Sequence, residues 1–105
     1  MRMNVEHNKA VRDRIPEEIG QKGGDCRFRI LPDQEFLEAM EDKIGEELEE
    51  YRQSKSVEEI ADLIEVLYRV AELKGTSREE LDTLIAEKRE RRGGFDHNIF
   101  LIEVR

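Results

Sequence analysis

Two stretches of helical apolar spacing, parted by only three residues, constrain the fold more than any other feature of this sequence. In the first, Phe36, Leu37, Met40, Ile44, Leu48 and Tyr51 recur at intervals of three and four, which predicts a helix from Asp33, just after Pro32, to about Gln53. Ser54-Lys55-Ser56 is then a tight turn. Ser56 and Glu59 fit the S-x-x-E capping box that opens the next helix, which runs to Lys74 and stops at Gly75. So short a connection favours an antiparallel helix pair.

The flanks supply smaller elements. In HNKAVRDRIPEEIGQKGG, Pro16 precedes two glutamates and Gly23-Gly24 ends the segment, which suits one short helix with proline in its first turn. Residues 26–31 alternate Cys26, Phe28 and Ile30 against Arg27, Arg29 and Leu31, the period of a half-buried strand. A further helix starts at Thr76 or Ser77, with Glu79 or Glu80 to complete a capping box, and ends in Lys88-Arg89-Glu90-Arg91-Arg92 before Gly93-Gly94. NIFLIEVR then reads as a strand and as the mate of 26–31, since a lone strand leaves its backbone groups unpaired. The expected fold is mostly α, an antiparallel helical bundle with a small two-stranded β-sheet, in one domain spanning 1–105.

Composition narrows the partners. At 37% hydrophobic and 42% charged residues, 105 residues build only a modest core, so self-association as a homodimer or homotetramer is expected. A net charge of −8, without a stripe of Lys and Arg interleaved with aromatics, argues against nucleic acid. No apolar run approaches the roughly 18 residues that span a bilayer, which argues against membrane insertion. The polar start and single Cys26 point to the cytoplasm. A small anionic substrate would need a local basic cluster or a bound cation to overcome the charge.

Acidic residues fall where apolar ones belong. At roughly 100° per residue, Glu47 lies between Phe36 and Met40 inside the apolar arc of the helix over 33–53, and Glu50 lies at its edge. Glu46 and Glu49 point away, as ordinary solvated charges. The following helix has an apolar arc of roughly 240°, with Glu59 inside it between Val66 and Val70 and Asp62 at its border beside Leu73. Glu58 and Glu65 fall on its polar side. Two acidic pairs at i, i+3 thus flank one seam, where ionised carboxylates must protonate, find cations or bind a metal. An all-carboxylate set suits a hard cation, Mg²⁺ with Mn²⁺ as substitute, rather than zinc. The competing reading is solvated charge, with Glu59 serving only the cap of Ser56.

Glu46-Glu47-Leu48-Glu49-Glu50 followed by Glu59-Ile60-Ala61-Asp62 resembles the EExxE and ExxD hallmark of the all-α NTP pyrophosphohydrolase superfamily, which groups MazG proteins with all-α dUTPases and phosphoribosyl-ATP pyrophosphohydrolases. The chain is most similar to small MazG-like house-cleaning pyrophosphatases, which open with an NKLVRDKIPEII-like stretch and carry RGGF before a final strand. Here Asn8-Lys9-Ala10-Val11-Arg12-Asp13-Arg14-Ile15-Pro16 and Arg92-Gly93-Gly94-Phe95 match, across nearly the whole chain. Ala10 departs from the usual Leu, a change that touches packing more than chemistry. The resemblance implies Mg²⁺-dependent cleavage of a nucleoside triphosphate between the α and β phosphates, with Glu47, Glu50, Glu59 and Asp62 as metal-holding catalytic residues. Phosphoribosyl-ATP is the alternative substrate, and a non-enzymatic helical interaction module the alternative class.

The resemblance also suggests that Lys88, Arg91 and Arg92 approach the phosphates, although such charges equally complement a helix C-terminus. Lys9, Arg12 and Asp13 belong to its N-terminal motif and would form a basic arm closing over substrate or a neighbouring subunit, against a solvated terminus. Gly93 is either a backbone approach to ligand or a helix cap, Phe95 a base-stacking ring or a core anchor, and Glu65 an outer acid or a surface charge. Cys26 reads as a small core hydrophobe, and His7 and His97 have no neighbours for a zinc site or a catalytic triad.

Overall fold

The turn between the two long helices decides the architecture. In the computed structural model, which describes residues 5–105, the chain forms α1 (Ile15–Gln21), α2 (Asp33–Ser54), α3 (Val57–Leu73) and α4 (Arg78–Arg92). Lys55 takes the left-handed conformation, φ 58°, and donates its N–H to the Tyr51 carbonyl at 2.7 Å, which closes α2. Ser56 returns to extended backbone and its hydroxyl accepts the Glu59 N–H at 3.4 Å, which opens α3. The reversal lays α3 against α2, the main helix contact of the molecule.

The seam between them holds the core. Met40 from α2 and Val66 and Val70 from α3 are buried, with Phe36, Leu37, Ile44 and Leu73 packed around them. Ala10 completes this core from the N-terminal segment, so it is a packing position. α1 follows Ala10 with Pro16 in its first turn but packs on none of the other helices. No helix among the described residues is long and apolar enough to cross a membrane.

α4 departs from the pair. Ser77 and Glu80 make the reciprocal capping box that starts it, the second of the two glutamates the sequence offered. Near that start the Tyr68 hydroxyl donates to Asp82 at 2.6 Å, and the Arg78 guanidinium lies 4.1 Å from the centre of the Tyr68 ring. α4 contacts α3 alone. The chain is accordingly long, 65 × 31 × 25 Å, with a radius of gyration of 18.4 Å. A compact domain of this length has about 13 Å.

The expected β-sheet is not formed. Among the described residues there is no strand, and no backbone hydrogen bond joins 26–31 to 98–105. The alternation was real, but α4 touches only α3, so nothing within the chain folds the residues beyond Gly93 back onto 26–31. Cys26 is exposed rather than a core residue, and Phe95, 98% exposed, anchors nothing within this copy.

Candidate metal centre

Glu47 is buried in the seam, 7% exposed, because helical spacing from Met40 and Ile44 turns it inward. It is the only buried charged residue among those described. Its Oε1 lies 3.6 Å from Lys43 Nζ one turn earlier, and its Oε2 is buried without a hydrogen-bond partner. Across the seam, Glu59 leaves an Oε2 in the same state. The cap explains why that acid is free: Ser56 uses only the Glu59 backbone N–H, so the carboxylate is not spent on a reciprocal bond.

Oxygens of Glu47, Glu59 and Asp62 lie within 4.8 Å of one another. Glu50, exposed on the next turn of α2, adjoins both Glu47 and Glu59. Three of the four residues singled out by the helical wheel, Glu47, Glu59 and Asp62, thus form one cluster, and Glu50 shares a second with Glu47 and Glu46. Burial, then the neighbouring Glu50, pushes the Glu47 carboxyl above the ordinary carboxylate range, with Asp62 adding to it and Lys43 opposing. Glu59 is raised in the same way, by burial first and then by Glu50 and Asp62. Carboxylate oxygens gathered this closely are the donor set that a hard divalent cation takes. Two orphaned buried oxygens in an all-oxygen set fit a hard divalent cation, and Glu47, Glu50, Glu59 and Asp62 would hold it.

Cations of the protein itself ring the cluster. Arg12 donates from one guanidinium nitrogen to Asp62 and from another to Glu65, both at 2.7 Å, so the N-terminal segment lies on the site. Lys9 donates to Glu46 at 2.9 Å, and Lys43 reaches the other Glu46 oxygen at 3.2 Å. These bonds hold the Glu46 carboxyl below its ordinary range, Lys9 first. Glu46 is therefore not the remote solvated charge the wheel placed: it is half-buried and shares a second carboxylate cluster with Glu47 and Glu50. Lys43 escaped the sequence reading, although its i, i+3 and i, i+4 spacing to Glu46 and Glu47 was a signal; Arg12 was named as part of a basic arm, but its bridge to Asp62 and Glu65 on α3 carried no sequence signal.

Lys88, Arg91 and Arg92 are exposed near the end of α4 and form no ion pair among the described residues. Within one chain they are not brought into contact with the carboxylates. Gly93 has φ 81° and donates its N–H to the Arg89 carbonyl at 2.8 Å, which supports the cap reading of that glycine. Compared with protein-family models, curated proteins and solved structures, the chain matches none.

Proposed function

We propose that the chain is a Mg²⁺-dependent nucleoside triphosphate pyrophosphohydrolase of the all-α, MazG-like kind, cleaving between the α and β phosphates to give a monophosphate and pyrophosphate. The observation that carries this reading is Glu47, buried in an apolar seam with one oxygen unpartnered and the carboxylates of Glu46, Glu50, Glu59 and Asp62 beside it. Glu47, Glu50, Glu59 and Asp62 would hold the divalent ion, which would supply charge neutralisation of phosphate oxygens and a water acidic enough to serve as nucleophile. One of these carboxylates would also orient that water for attack. Leaving group and nucleophile are both oxygen, so no Ser, Cys or His is required.

Phosphate grip is the role we assign to the basic residues. Lys9 and Arg12 already lie over the cluster, and a guanidinium released from Asp62 matches two phosphate oxygens as it now matches two carboxylates. Lys88, Arg91 and Arg92 would act on the site of another copy in a homodimer or homotetramer. One observation favours a non-catalytic helical module: Glu46, Asp62 and Glu65 are already paired by the chain's own cations. It leaves the orphaned oxygens of Glu47 and Glu59 unexplained.

The test is pyrophosphate release from a panel of nucleoside triphosphates and phosphoribosyl-ATP, with Mg²⁺ or Mn²⁺. Metal-dependent release that Glu59→Gln abolishes is expected. No pyrophosphate from any substrate, by a protein that binds Mg²⁺, would refute the reaction.

A further inference from the structure

The chain exposes 9972 Å². A folded monomer of its 12.4 kDa exposes about 6,100 Å². The excess is several times the roughly 800 Å² that each partner contributes to a stable interface. Much of it is apolar and concentrated: Ile99, Phe100, Leu101, Ile102 and Val104 are all at least 74% exposed, and Phe28 and Ile30 are 63% and 90% exposed. Among the described residues neither segment makes a backbone–backbone hydrogen bond, which leaves both as templates for strand pairing.

From this we infer that residues 98–105 of one copy pair antiparallel with residues 26–31 of a second copy, reciprocally, in a strand-exchanged dimer. One register makes one face wholly apolar. With Phe28 opposite Ile102, Cys26 faces Val104 and Ile30 faces Phe100, giving a continuous apolar face. On the other side Arg27 faces Glu103, Arg29 faces Leu101 and Leu31 faces Ile99. A slip of one residue sets the two faces against each other. Glu103 now reaches only its neighbour Arg105, at 2.8 Å, and the register gives it a partner of opposite charge across the strands. A two-stranded ribbon is not stable alone. Half-exposed Ile60, Ile64 and Leu67 on α3 offer its apolar face a surface to cover. The inference does not rest on the nucleotide chemistry, and its failure would leave the carboxylate cluster as described.

Cys26 is the single cysteine, and paired strands hold opposed Cα atoms at about 4.5–5.5 Å, within disulfide range. A tagged chain carrying Cys26→Ser and Val104→Cys is co-expressed with untagged wild type, oxidised, and separated without reductant. The expected product is a covalent heterodimer, at least tenfold more abundant than with Cys26→Ser and Glu103→Cys, whose cysteine faces the other side. Wild-type Cys26–Cys26 dimers carry no tag and are not scored. Equal yields at 103 and 104, no heterodimer, or an intrachain bond in a chain that keeps Cys26 and carries Val104→Cys would overturn the exchange. So would a light-scattering mass of 12.4 kDa for the wild type at micromolar concentration.

Discussion

Replacing Glu47 by Gln alters one atom of a buried side chain and removes its charge. In the metal-free protein, burial and the repulsion of Glu50 and Asp62 oppose ionisation, while Lys43 at 3.6 Å favours it. A buried polar atom without a partner costs about 1–3 kcal/mol, and the amide inherits that deficit without the like-charge repulsion. The metal-free variant should therefore melt at or above the wild-type temperature. Mg²⁺ separates the two. At a hundredfold excess over Kd, binding to the native state contributes about 2.7 kcal/mol. With a shift of about 4–8 °C per kcal/mol for a domain of this size, wild type should melt about 10–20 °C higher. Glu47→Gln, lacking the central ligand, should lose most of that rise. Circular-dichroism melts at one fixed protein concentration measure it. An undiminished Mg²⁺ shift in the variant would refute the placement of Glu47 at the ion. Glu46→Gln is the control: it loses contacts to Lys9 and Lys43, worth at most about 1 kcal/mol each where exposed, and should keep the shift.

Arg12→Ala frees Asp62 and should raise Mg²⁺ affinity up to about fivefold, by the scale of an exposed ion pair; calorimetry showing weaker binding would mean that the arm supports the ion rather than competing with it. Folding favours the protonated forms of Glu47 and Glu59, so their contribution to metal-free stability is full below the ordinary carboxylate range and is lost as pH rises through their raised values. Mg²⁺ affinity should climb over the same interval, because the ion binds the ionised acids, and an affinity that stays flat as pH rises from below the ordinary carboxylate range to neutrality would contradict this. Lys88→Ala and Arg91→Ala should lower kcat/KM roughly 10–100-fold, the scale of lost charge stabilisation, with Mg²⁺ affinity unchanged, and wild-type kcat/KM would return both to the role of helix-end charges.

The helices were legible because their determinants are local. Pro32, Ser56, Gly75, Ser77 and Gly93 sit at or beside the observed ends of α2, α3 and α4, and each acts within a turn of the backbone it caps. The buried acids were legible for the same reason: the periodicity that turned Met40 and Ile44 inward carried Glu47 with them. Glu46 was misjudged because the wheel counts angle but not reach, and two lysines draw that carboxylate onto the seam. The sheet failed at a different level. Alternation in 26–31 and 98–105 gives each segment the character of a strand, but pairing depends on where α4 carries the second one, and no local pattern records the direction in which α4 leaves Gly75. Arg12 posed the same difficulty, since its bonds to Asp62 and Glu65 cross about half the chain.

The central claim is that Glu47, Glu50, Glu59 and Asp62 hold one divalent site. Anomalous scattering from crystals grown with Mn²⁺ tests it directly. The account predicts a peak between α2 and α3, about 2.1–2.3 Å from oxygens of Glu47, Glu59 and Asp62, with Arg12 withdrawn from Asp62. No peak at saturating Mn²⁺, or a peak confined to exposed acids while Arg12 stays on Asp62, would contradict it.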